Sequence, residues 1–208
     1  RLKMGVSERR IRERLDTRQS ILATARELFL LKGFEATTIR NIAEKIEYSP
    51  STIYQHFKDK NEIFYTIHSE AFAELVRYLN ASEMHKNPMD QLIALGQIYI
   101  QFALENPELY DLMFIMEAPI DFLNYLEDAN WTEGKMAFDY LKSVIANCIQ
   151  QGLIKETDLE SLSYLIWSTV HGLVTISIRK RGLKIGLSDP DTIIQRSFAI
   201  FSHLLVKS

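Results

Sequence analysis

Little in this chain of 208 residues can act as a covalent or metal staple. It has one cysteine, Cys148, which can form no internal disulfide and supply no Cys-rich metal cage; its setting in VIANCIQ places it on a buried helix face. The five histidines, His56, His68, His85, His171 and His203, fall in no H-E-x-x-H or E-x-x-H spacing. No glycine-rich phosphate loop or G-x-S-x-G turn occurs, and no nucleophile stands beside a base. These absences argue against an enzyme, a metal site and a cofactor. No run of 18 or more apolar residues goes without a charge or a strongly polar break, and the basic start RLKMGVSERRIRERL holds no apolar stretch followed by a small-residue cleavage site. A cytoplasmic location is expected. Alternation of apolar and polar residues, the mark of a half-buried strand, is missing too, and so is any internal repeat.

What is present is 47% hydrophobic residues, enough to bury a core. The formal net charge of -3 hides a division: residues 1–60 hold 13 Lys and Arg against 8 Asp and Glu, whereas residues 61–208 hold 11 against 19. A basic segment joined to an acidic remainder is what a phosphate-facing module attached to a module of another kind would show.

Helical spacing runs through the whole chain. Ile21, Leu22, Ala25, Leu28 and Phe29 form one stripe of a helix over 18–32, with Asp16 or Thr17 as its cap and Gly33-Phe34 as its stop. A short helix follows in TTIRNIAEKI, capped by Thr37 or Thr38, with Ile39, Ile42, Ala43 and Ile46 inward. Glu47-Tyr48 leaves a tight turn before Ser49, an N-cap, and Pro50, which suits a first helical position because its missing N–H would be unpaired there. Helix, glycine break, short helix, turn and short helix make a helix-turn-helix, whose last element fits the major groove. Ile53 and Phe57 would point inward while Ser51, Thr52, Gln55 and part of Tyr54 face out. Later helices are expected over 61–79, 87–105, 108–117, near 120–128, and over 131–151, 158–180 and 190–207, giving an all-α chain of about nine helices.

The stretch ILATARELFLLKGFEATTIRNIAEKIEYSPSTIYQHFKDKNEIF resembles the N-terminal domain of TetR-family transcriptional regulators, through Ala25, Leu28-Phe29, Gly33-Phe34, Thr38, Ile42-Ala43, Ser49, Thr52-Ile53-Tyr54, His56-Phe57 and Lys60. Trp167, His171 and Gly172 in LIWSTVHGLV, with NPELYDLMF, are similar to a subgroup of that family named for a Trp-His-Gly pattern. The resemblance implies a basic N-terminal arm over 1–17, a helix-turn-helix domain over 18–64 and a ligand-binding and dimerisation bundle over 65–208. It implies that Tyr54, Lys60, His56 and Thr38 contact the DNA backbone and that Arg40 reaches a base, where its guanidinium can take guanine O6 and N7. Pro50, Ser51, Thr52 and Gln55 are the other candidate readers, Gln55 suited to adenine and the Thr52 methyl to thymine. RRIRER is either an arm reaching phosphates or a solvated extension of the first helix. One position departs from the family: Glu47-Tyr48 stands where a glycine and an aliphatic residue are usual, and a non-glycine residue kept at positive φ costs about 1 kcal/mol. Glu47 could face DNA or Lys45.

In the acidic remainder, Tyr110, Met113, Phe114, Phe122, Tyr125, Trp131, Trp167 and His171 would suit a pocket for a small apolar or aromatic effector, His171 being its best polar group. The segments 158–180 and 190–207 are apolar on more than one face, and in the family such helices pack on their copies. A homodimer on a near-palindromic operator is implied, with half-sites about 34 to 36 Å or a multiple apart. The function expected is a repressor released by its effector; the alternative is a DNA-binding regulator without an effector, answering to a protein partner.

Overall fold

The structure is a computed structural model that describes residues 6–116, 132–187, 189 and 192–206. These form ten α-helices and no strand: α1 Val6–Lys32, α2 Ile39–Lys45, α3 Pro50–Tyr54, α4 Lys60–Leu79, α5 Pro88–Glu105, α6 Pro107–Phe114, α7 Thr132–Gln150, α8 Leu159–Ile178, α9 Arg181–Lys184 and α10 Ile193–Leu205, with a 3₁₀ turn at Asn80–Met84 after α4. The helix expected near 120–128, with Phe122, Tyr125 and Trp131, lies outside the described residues.

Where the helices begin and end follows from side chains close by. Asn87 accepts from the Met89 and Asp90 N–H groups at 2.8 and 3.4 Å and is followed by Pro88, so α5 starts there. Asp158 opens α8 by accepting from Ser161 N–H at 2.7 Å. One expected boundary is corrected. Neither Asp16 nor Thr17 starts α1, which runs back to Val6. Residues 7–15 hold no glycine or proline, and Arg9 pairs with Glu13 one turn on at 2.8 Å, so the helix propagates past the candidate caps. Of the two readings of RRIRER, the structure has the solvated helix extension, with Ile11 and Leu15 exposed.

The chain divides into two compact units. The first takes the residues up to Ala71 together with the segment beginning at Asp111. Its core is Ile21, Leu22, Ala25, Leu28 and Phe29 of α1, Ile42 and Ala43 of α2, Ile53 and Phe57 around α3, Ile63, Phe64 and Ile67 of α4, and Leu112 of α6. The rings of Phe29, Phe34 and Phe64 meet at centroid distances of 5.0 to 5.4 Å. The unit therefore extends beyond the boundary drawn after residue 64, because the start of α4 and the end of α6 complete this core.

The second unit holds Phe72–Tyr110 and the chain from α7 onward. Here α5, α7 and α8 pack on one another and α10 packs on α8. Phe198 of α10 lies where a Cβ on Gly96 of α5 would be, 2.3 Å from its ring, so only glycine admits that ring. Cys148 is buried, which pushes its thiol up to about 11 and leaves it an inert core residue. By length and hydropathy alone α8 is the one described helix that could cross a membrane, but it also serves as a packing helix of this unit.

Candidate nucleic-acid interface and effector site

Three short hydrogen-bonded turns fix the outer surface of the first unit. Thr38 caps α2 in a reciprocal box with Asn41, its hydroxyl accepting from Asn41 N–H at 3.1 Å while Asn41 accepts from Thr38 N–H at 3.3 Å. Thr37, the other candidate cap, is buried and donates its hydroxyl proton toward the Gly33 and Leu28 carbonyls. Ser49 caps α3: its oxygen accepts from Thr52 N–H at 3.3 Å and lies 2.7 Å from the Ser51 hydroxyl and 3.0 Å from that of Thr52. Asp59 opens α4 by accepting from Glu62 N–H, and Glu62 accepts in turn from Lys58 N–H.

The turn between α2 and α3 keeps the glycine-like conformation without a glycine. Glu47 has φ of +59°, its N–H reaches the Glu44 carbonyl and the Tyr48 N–H reaches that of Ala43. That pair of bonds is a Schellman ending, the same one formed after α7, where Gly152 at φ of +70° bonds to Ile149 and Leu153 to Cys148. Lys45 pairs with Glu27 of α1 rather than with Glu47.

On this scaffold Ile53 and Phe57 are buried, and the opposite side of α3 is open: Tyr54 is 57% exposed, with Pro50, Ser51 and Gln55 exposed beside it. Thr52 and His56 are half-buried. His56 is held below the usual histidine range, chiefly by burial and then by the charges of Arg14 and Arg18, so the ring is neutral at pH 7. Arg18 also stacks over Phe57 at 4.8 Å. The two cationic candidates for DNA contact are already engaged. Arg40 donates to Glu44 at 2.9 Å on the exposed surface of α2, and Lys60 sits over the Phe34 ring at 4.0 Å while donating to the Phe34 carbonyl at 2.7 Å.

The second unit has a different kind of polar centre. Tyr99 of α5 and Tyr110 of α6 both bring their hydroxyls to Nδ1 of His171 on α8, at 3.0 and 2.9 Å. The Tyr110 hydroxyl also meets the Thr175 hydroxyl at 2.9 Å and the His171 carbonyl at 3.3 Å. Burial lowers the His171 pKa, and burial first, then the neighbouring Tyr110, raises the Tyr99 phenol well above its ordinary range. Aromatic rings surround this cluster: Trp167 lies 5.5 Å from His171, with Phe138 and Tyr164 each 6.1 Å from Trp167.

Residues 21–66 match the model of the bacterial regulatory proteins of the tetR family, and residues 92–201 match that of the tetracyclin repressor-like C-terminal domain. The chain belongs to the TetR family of DNA-binding transcriptional regulators. Among curated TetR-family relatives, it is 26% identical over 167 residues to the probable acrEF/envCD operon repressor of Escherichia coli K12, covering 78% of this chain and 76% of that one. It is 25% identical over 155 residues to the transposon Tn10 TetC protein of Escherichia coli, covering 72% and 74%. Among solved structures, the fatty acid degradation regulator FadR from Bacillus halodurans superposes with a TM-score of 0.70 at 15% identity, over 100% of this chain and 98% of that one, a likeness of fold. The first and the last of these are regulators, not enzymes. The narrower Trp-His-Gly subgroup remains a resemblance resting on Trp167, His171 and Gly172.

Of the effector residues expected in this TetR-family chain, Tyr110, Trp167 and His171 meet in the second unit, whereas Met113 and Phe114 belong to the first, where the Met113 carbonyl lies 3.3 Å from the ring Nε2 of buried His68. Phe122, Tyr125 and Trp131 are outside the described residues. Sequence reasoning missed Tyr99 and Thr175. Thr175 stands four residues after His171 and so shares its helix face, a usable signal; Tyr99 stands 72 residues from His171 and only the packing of α5 on α8 unites them.

Proposed function

We propose that the chain is a cytoplasmic repressor that binds a near-palindromic operator as a homodimer and is released by a small apolar or aromatic effector. The observation that carries the DNA half is the open side of α3: Tyr54 and Gln55 are exposed while their neighbours Ile53 and Phe57 are sealed in the core, so the helix has one free face of groove-reading chemistry. The Tyr54 hydroxyl and the remaining Thr38 hydroxyl proton serve phosphates, with His56 as a neutral donor. Gln55 reads a base edge together with Pro50, Ser51 and Thr52, and Arg40 does so once it leaves Glu44. Lys60 adds a positive charge from its post over Phe34. Repression is the reading favoured by similarity to a probable operon repressor.

The effector half rests on the cluster of His171, Tyr110, Tyr99, Thr175 and Trp167, where a neutral imidazole and phenols stand among aromatic rings. The dimer rests on Ile200 and Leu204 of α10, 63% and 78% exposed, beside the open face of α8. DNA selected by the purified chain from a random pool tests the whole reading. Tyr54→Phe should weaken binding on every sequence and leave the salt slope unchanged, since a phenol displaces no counterion, while Gln55→Ala should relax one base position. Selection of no DNA, or a palindrome indifferent to both changes, overturns it.

A further inference from the structure

The stripe of α1 that faces the core does not end where the core ends. Ile21, Ala25 and Leu28 are buried in the first unit, and stepping back from Ile21 by three and then by fours meets Arg18, Arg14 and Arg10. One side of the helix is therefore apolar and buried toward its C-terminus and cationic toward its N-terminus. Residues 7–16 are all exposed, so this part of α1 adds no buried side chain to the unit. The carboxylates there, Glu8, Glu13 and Asp16, stand at least about 100° around the helix from Arg14, at 3.6 residues per turn.

Contacts at its root place this cationic stripe beside α3. The Arg18 guanidinium lies 4.8 Å over the Phe57 ring and 3.8 Å from Glu70 of α4. Phe57 follows His56, whose pKa is lowered first by burial and then by the charges of Arg14 and Arg18. The stripe thus leaves the core next to the turn after α3 and runs outward, rising about 6 Å from each arginine to the next. Arg18 is committed at the root. Arg10 and Arg14 are exposed, and among the described residues neither takes part in an ion pair, whereas Arg9 on another side of the helix is paired with Glu13.

We propose that Arg10 and Arg14 hold the DNA backbone just outside the half-site that α3 reads, so that the helical extension of α1 lengthens the footprint of each chain. The proposal rests on the DNA-binding reading above and goes beyond it, since that reading takes its contacts from residues 38–60. The stripe begins at His56, two residues from exposed Tyr54, and so adjoins the open side of α3. A DNA strand carries a phosphate every 3.4 Å or so of helix axis, close enough for each guanidinium of the row to find one and bind it with two N–H groups. Such contacts carry no base information. They add affinity and salt dependence whatever the sequence of the flank.

Fluorescence anisotropy of the full chain on two duplexes provides the test. One duplex ends at the outer edge of each half-site that the chain selects; the other is longer by roughly 5 base pairs, half a helical turn, at each end. The unaltered chain should bind the longer duplex the more tightly, whereas Arg10→Gln with Arg14→Gln should bind both alike. On the longer duplex this variant should lose roughly tenfold less affinity per bound chain between about 50 and 200 mM salt, because two phosphate contacts are gone. Arg10→Lys with Arg14→Lys should restore most of that salt dependence, which damage to the fold would not allow. Arg12→Gln, on the opposite side of the helix, should alter neither the length preference nor the salt slope. If the double glutamine variant still gains from the longer duplex and keeps the full slope, or if Arg12→Gln flattens it as much per arginine, the stripe does not hold DNA although the chain still binds it. An unaltered chain that selects no duplex overturns the DNA-binding reading itself, and this inference with it.

Discussion

The two compact units place their polar side chains at different ranges. Around the short helices of the first, hydrogen bonds close over three or four residues, Thr38 with Asn41, Ser49 with Thr52, Asp59 with Glu62, Arg40 with Glu44, and only bonds such as Lys60 to the Phe34 carbonyl and Lys45 to Glu27 reach farther across that surface. In the second, Gln91 and Ser82 reach Tyr140, Tyr99 reaches His171 and Tyr110 reaches Thr175, partners 49 to 72 residues apart. A local bond forms with its own turn and fixes the outline of a surface. A long-range bond exists only after whole helices have packed, so the centre of the second unit is specified collectively, and what disturbs its packing disturbs its polar cluster.

The largest expected effect tests the apolar side of this contrast. Phe64→Ala, which removes the ring shared by Phe29 and Phe34, should cost about 3 to 5 kcal/mol in denaturant unfolding. A loss under about 1 kcal/mol would show that the ring trio is not the centre of the first unit. Next come the two kinds of hydroxyl. Tyr110→Phe should cost about 1 to 3 kcal/mol because the bonds of a buried hydroxyl to His171 and Thr175 are lost, whereas Ser49→Ala should cost about 1 kcal/mol as the loss of one cap. If the local serine matters as much as the long-range tyrosine, the contrast fails.

The paired turns give a signed prediction of similar size. Glu47→Gly should raise stability by about 1 kcal/mol, and Gly152→Ala should lower it by at least as much, since both positions hold positive φ in the same hydrogen-bonded ending. A neutral outcome at Glu47 would mean that its side chain offsets the backbone strain. The smallest effect concerns pH. Burial holds the His171 pKa below its unfolded value, so the unfolded chain binds more protons between the two. Stability is fully present above about pH 6.5 and falls as pH drops through the lowered folded value. His171→Gln should make the pH dependence shallower in thermal melts between pH 7 and 5; an unchanged slope would place the titration elsewhere.

Legibility in the sequence follows the same division of ranges. Ser49, Pro50, Thr38 and Gly33 punctuate the helix-turn-helix at fixed offsets, and Ile53 and Phe57 take the inward positions that a spacing of four assigns them. The start of α1 was misleading because a candidate cap binds only if the helix stops there, and the residues before Asp16 prefer to continue it. Met113 and Phe114 read as partners of Tyr110 because they are adjacent in sequence, but α6 passes from one unit to the other at Asp111.

By itself the sequence determined an all-helical TetR-family chain, the capped turns around α3 and the basic character of its N-terminal quarter, since periodicity, capping and charge act over a few residues. Only the tertiary structure decided that Lys45 pairs with Glu27 of α1, that Lys60 is anchored over Phe34, and that Tyr99 and Tyr110 converge on His171. Such pairings depend on which faces of distant helices meet, and that is fixed by the packing of the whole core rather than by any stretch of it.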